Sequence, residues 1–120
     1  MFKISNNGII TLTHGDTASA PLFLNAGTEL NPIRYILKDS DELYFGLIEA
    51  GSTFENAILR KVYTKDNLNE YGDVIIEFKS KDTECLVANT YYYEIKLLTK
   101  GETTTSVTTV VSPTQFILID

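Results

Sequence analysis

Four clusters of residues have types and spacings that could do chemistry, and each has a plainer reading beside it. His14 is the single histidine, with Asp16, Thr17 and Ser19 just after it. A hydroxyl nucleophile needs an imidazole within hydrogen-bond reach and a third group to orient it. No Gly-x-Ser-x-Gly elbow accompanies His14, so it reads as a surface turn residue. Asp39, Asp41 and Glu42 are oxygen ligands of the kind calcium takes. An EF-hand loop wants glycine at its sixth position, and counting from Asp39 that position is Tyr44. The acidic cluster therefore reads as a solvated turn.

Cys85 follows Asp82 and Glu84, whose charges favour the protonated thiol over the nucleophilic thiolate. It reads as a small, mostly buried residue. Tyr91, Tyr92 and Tyr93 could stack on a sugar, but strand alternation sends two rings inward and one outward. One exposed ring is not a platform, so core and corner are the better reading. No zinc spacing, phosphate loop or dinucleotide fingerprint occurs. These residues predict no enzyme activity, no cofactor and no metal.

The elements that must hold these residues are strands. Tyr91, Tyr93, Ile95 and Leu97 alternate with Tyr92, Glu94, Lys96 and Leu98, the period of a half-buried strand. The polar stretch before it, from Lys81 to Leu86, predicts a turn, and a tyrosine after such a turn can bond back to the upstream backbone. Tyr91 is expected in that role, bonding near Asp82 to Leu86. Asn6-Asn7-Gly8 predicts a hairpin, or a strand interrupted by a turn, with Ile10 and Leu12 inward. Leu22 and Leu24 predict an inward row in a strand that Pro21 confines to an edge. A loop is expected over 25–32. Tyr35 and Leu37, then Leu43, Phe45 and Leu47, predict a hairpin turning at Asp39 to Glu42.

Residues 57–63 predict a strand of open phase, and Val74, Ile76 and Phe78 the inner row of another. Thr103 to Val111 suits a pleated sheet, broken at Ser112-Pro113-Thr114 before a last strand over 115–119. The phases leave Phe23, Ile36, Ile48, Tyr92 and Leu98, with Ile75, facing outward. They are the candidate interface. About eight to ten short strands with frequent turns predict an all-β sandwich or barrel.

Composition sets outer limits. The chain has 120 residues, 43% of them hydrophobic and 22% charged, without a repeat or internal boundary. This predicts a single domain over 1–120. The net charge of −6 disfavours nucleic acid. No apolar run approaches the roughly 18 residues of a membrane span, so no membrane is expected. One cysteine cannot form an internal disulfide, and the first residues lack a signal-peptide pattern. Synthesis in a reducing cytoplasm is expected.

Several of these stretches together resemble a known family. They are Gly15-Asp16-Thr17 before Ala20, Leu22 and Leu24; Tyr35-x-Leu37; and Asp41-x-Leu43-x-Phe45-x-Leu47. Lys61 with Tyr63 and Asp82-Thr83-x-x-Leu86 follow, then Tyr91-x-Tyr93-Glu94-Ile95-x-Leu97 and the closing 107–111 and 116–119. This pattern resembles the immunoglobulin-like domain at the N-terminus of phage baseplate upper proteins, with Asn89 where that family usually has glycine. The resemblance implies an immunoglobulin-like β-sandwich of mainly antiparallel strands with a structural corner at Asp82, Thr83, Leu86, Tyr91 and Tyr93. It implies a non-enzymatic virion protein of the tail or baseplate, made in the host bacterial cytoplasm. Its partners would be other virion proteins, in multiple copies. A capsid decoration or head/neck protein is the alternative within that class. A carbohydrate-binding module engaging the host surface is the alternative from another.

Overall fold

Gly8 sits at φ 87°, and this lets Asn6-Asn7-Gly8 close a hairpin in which the Ser5 amide donates to the Ile9 carbonyl at 2.9 Å. A computed structural model describes residues 1–28 and 30–120; Glu29, within the loop expected over 25–32, lies outside them. The hairpin joins β1 (Phe2–Ile4) to β2 (Ile10–Thr13). Then come β3 (Ala18–Leu22), β4 (Leu24–Asn25), β5 (Arg34–Tyr35), β6 (Glu42–Ile48) and β7 (Leu59–Tyr63). The chain continues through β8 (Val74–Phe78), the short helix α1 (Ser80–Thr83), β9 (Asn89–Lys100) and β10 (Thr105–Ile119).

The protein is all-β. Six strands form one sheet in the order β1-β2-β10-β9-β6-β7, while β3-β8 and β4-β5 are separate ribbons. The large sheet is mixed, because β2 and β10 run parallel, with Phe116 opposite Ile10 and Leu118 opposite Leu12. The β3-β8 ribbon lies across its inner face. The Phe78 ring meets the rings of Phe45 at 5.5 Å and Phe116 at 5.4 Å, both edge-on, and Tyr93 stacks on Phe45 at 5.6 Å.

The inner rows expected from alternation form this core: Leu12, Leu24, Leu37, Leu43, Phe45, Leu47, Val74, Ile76, Phe78, Tyr91, Tyr93, Ile95 and Phe116 are buried. Leu22, Tyr35, Leu86 and Leu97 pack against it half-buried. The open phase of β7 resolves with Leu59, Lys61 and Tyr63 turned inward. Pro21 lies on β3, which pairs with β8 alone, as an edge position requires.

Three strand assignments are corrected. The single strand expected to carry Leu22 and Leu24 breaks at Phe23, so that Leu22 pairs with β8 and Leu24 with β5. The expected hairpin between 33–37 and 43–47 does not form: β5 pairs with β4, and β6 pairs with β7 and β9. Asp41 is the reason. It is buried rather than solvated, and its carboxylate accepts from the Lys38 amide at 2.9 Å and from the Tyr35 hydroxyl. That inward turn carries the chain from one layer to the other. The expected break at Ser112-Pro113-Thr114 is a pair of register shifts within a continuous β10. β2 pairs with β10 only over 116–119, so Pro113 sits where no second neighbour needs its missing N–H.

The corner after β8 forms. The Tyr91 hydroxyl donates to the Val87 carbonyl at 2.6 Å, one residue beyond the expected Asp82–Leu86 span. Tyr93 reaches the other end of the molecule and donates to the Gly8 carbonyl at 2.6 Å. Cys85 is exposed rather than buried, because Thr83 and Leu86 take the inward positions of the turn. Tyr91→Phe and Tyr93→Phe are each expected to lower unfolding free energy by about 0.5–1.5 kcal/mol in urea titrations. Unchanged stability in either variant would remove that hydroxyl from the framework.

Candidate interaction surface

The outer face of the six-stranded sheet is partly roofed. A 3-10 turn at Phe54–Asn56 lays the Phe54 ring on Gly46 of β6. A Cβ at Gly46 would stand 2.6 Å from the ring, so glycine is required by close approach here. Lys96 on β9 places its ammonium 4.9 Å from the ring centre, and the Arg60 guanidinium stands at 5.8 Å. Arg60 also donates to the carbonyls of Phe54 and Glu55.

This clamp decides the fate of the expected interface. Ile48 points outward by strand phase, but the loop after it leaves the residue 4% exposed. Ile48 is therefore withdrawn from the interface. Tyr92, half-buried, shares a cleft with Ile48, Phe54 and Pro113. Leu98, also half-buried, lies on the other side of Phe54 with Tyr44 and Val107. Phe23 is 71% exposed at the mouth of a different cleft, beside Thr108 to Val111. Ile36 is exposed and packs its tip against Gly72. Ile75 is half-buried in a groove with Val62 and Tyr63. The outward apolar residues do not make a single patch.

The polar residues singled out above hold turns together. Lys61 on β7 pairs with Asp82 at 2.8 Å, and the same carboxylate accepts from the Lys79 amide at 2.8 Å. Burial pushes the Asp82 carboxyl up, but the hydrogen bonds from Lys61 and the Lys79 amide outweigh it and hold it below the usual 3.8. Thr83, fully buried, accepts from the Gly15 amide at 2.9 Å, and His14 Nε2 lies 3.0 Å from the Glu84 carbonyl. His14 is thus a half-buried tie between its turn and α1, not a free surface group. Asp82, Thr83, Leu86 and Tyr91 share one corner, while Tyr93 ties down the Asn6–Gly8 turn.

The Asp39–Asp41 pair diverges: Asp39 faces solvent and pairs with Lys65 at 3.0 Å, while Asp41 turns into the protein. Burial, then the hydrogen bond and charge of Asp41, push the Tyr35 phenol up to about 12. Among the described residues, no three His, Cys, Asp or Glu side chains gather as metal ligands. The described surface offers aromatic, aliphatic and hydroxyl groups to solvent.

Two features escaped the sequence reading. The Phe54 clamp had a signal in Gly46, a glycine inside an otherwise bulky strand. The unpaired side of β10 had none, because strand order is not written in alternation. No family model, no curated protein and no solved structure matches the chain. Fold and surface define an all-β protein with a mixed sheet and a polar-tied corner.

Two outcomes are expected. Gly46→Ala forces Phe54 off the sheet and should cost roughly 1–3 kcal/mol of stability. In a Phe54→Ala background that penalty should shrink to what the Ala57 methyl imposes, 3.3 Å from the added Cβ, and an undiminished penalty would refute the clamp. Asp82 carries a lowered folded pKa, so its contribution is present above 3.8 and is lost as pH falls through the folded value. Asp82→Asn should therefore be less stable near neutrality and show a shallower loss of melting temperature in acid. An acid limb identical to the parent's would rule the pair out.

Proposed function

We propose that the chain is an immunoglobulin-like β-sandwich serving as a non-enzymatic structural subunit of a phage virion, in the tail or baseplate. It acts through protein–protein contacts made in multiple copies. The observation that carries this reading is the corner: the stretch Asp82-Thr83-x-x-Leu86 followed by Tyr91-x-Tyr93 shapes a turn closed by the Tyr91–Val87 hydrogen bond. Those are the residues with the strongest family resemblance. Support also comes from the inner rows, which fall on the other residues of that resemblance: Leu24, Leu37, Leu43, Phe45 and Leu47 are core.

The reading from another class, a carbohydrate-binding module, draws on exposed rings at Phe23 and Tyr71, 71% and 68% exposed. Carbohydrate sites gather rings on one face, and Tyr71 is not among the residues lining the cleft that Phe23 borders. Quantitative mass spectrometry of purified particles from cells making the chain is expected to find it there, at several copies per particle. Absence from particles overturns the proposal. A copy number matching the head rather than the tail moves it to capsid decoration, and selective binding on a glycan array favours the carbohydrate module.

A further inference from the structure

Strand β10 is paired along its whole length with β9 but meets β2 only over 116–119. Among the described residues, no backbone hydrogen bond from another segment reaches its β2-side edge between Thr105 and Pro113. The β1–β2 hairpin stops short there, because its turn at Asn6–Gly8 ends beside Thr114. A free edge presents alternate unpaired N–H and C=O groups, which template a further strand.

Proteins guard such edges with charge, proline or bulges. Here Pro113 and the two register shifts guard the half nearer β2. Thr105 to Thr109 stays regular and carries no guard. The run from Thr103 to Ile119 holds no charged residue, in a chain whose net charge is −6. Two copies of the chain carry the same net charge and repel on that account. From Thr105 to Thr109 the edge strand itself carries only Thr, Ser and Val side chains.

The segment is also complementary to itself. In an antiparallel pairing centred on Val107, Thr105 lies opposite Thr109 and Ser106 opposite Thr108, hydroxyl pairs that stabilise neighbouring strands. Val107 would lie opposite its own copy. It is 62% exposed, stands opposite Leu98 of β9 and lines an outer-face cleft with Leu98 and Tyr44. A second strand would cover it. On the inner side, Phe23 stands beside Thr108 to Val111 and would be sheltered by the same strand.

We propose that a second copy of this chain pairs antiparallel with the free edge of β10 at Thr105–Thr109, across a twofold axis at Val107. The proposal deepens the reading of the chain as an assembly subunit and rests on it. A twofold edge pairing is isologous and closes on itself, so the product is a dimer with one sheet running through both copies.

Sedimentation equilibrium of the full chain is expected to give twice the chain mass. Val107→Lys and Val107→Asp each place like charges directly opposite at the axis, which is destabilising. Neither removes a backbone hydrogen bond. Each variant alone should sediment as a monomer with an unchanged circular dichroism spectrum, and an equimolar mixture should regain the dimer mass. Amide hydrogen exchange needs no variant: Thr105 to Thr109 should exchange more slowly as wild-type concentration rises. A monomeric wild type, a dimer that persists in either charged variant, a mixture that stays monomeric, or exchange independent of concentration overturns the pairing. A chain abundant in particles yet monomeric in solution overturns this inference alone. A dimer absent from particles overturns the virion reading and leaves the pairing standing.

Discussion

A buried phenol must find an acceptor, and two of them set the geometry of this protein. Tyr91 and Tyr93 lie on the inner row of β9, each 6% exposed. The rings supply apolar area to the core, but each hydroxyl would cost free energy if left unpaired. Val87 answers one and Gly8 the other. One acceptor lies in the turn entering β9, the other in the first hairpin, far away in sequence. The central strand thus fixes where both turns sit against the sheet. Burial pushes the Tyr93 phenol up from its usual value, which keeps it the neutral donor that Gly8 requires.

Around that strand the polar ties repeat one pattern, in which a side chain satisfies a turn and joins it to another element. Asp82 holds its own turn through the Lys79 amide and reaches β7 through Lys61. Asp41 does so with Lys38 and Tyr35, and Thr83 with Gly15. Such groups look like catalytic or metal-binding candidates in a linear sequence because the same residue types serve both ends. The distinction lies in direction. Here each points at a backbone amide, and Asp82 and Asp41 at one further side chain besides.

The parts of the fold legible in the sequence were those governed by a period. Alternation placed the inner rows of β6, β8 and β9, since a strand buried on one face must alternate. Pairing was less legible. The chain between Leu37 and Leu43 has the composition of a hairpin turn, yet buried Asp41 makes it a crossing between layers. Nothing local distinguishes a carboxylate that faces water from one that finds an amide and a phenol. Ile48 was misplaced for a related reason. Strand phase tells which way a side chain points, not whether a loop such as Thr53 to Asn56 will come back over it. Pro113 signalled a break and marked instead an irregular stretch of a long strand, because the cost of its missing N–H depends on a neighbour the sequence does not name.

The parallel pairing of β2 with β10 has a consequence for how the chain is made. β10 follows every other strand in chain order yet lies inside the sheet, between β2 and β9. As the polypeptide emerges from the ribosome, the first hairpin has no sheet to join, and β9 lacks the neighbouring strand that sets Phe116 and Leu118 beside it. Contacts so distant along the chain close slowly, since the loop between them must be ordered first. Until β10 has been made, apolar strands stand open, the state in which a partly folded chain is prone to aggregate.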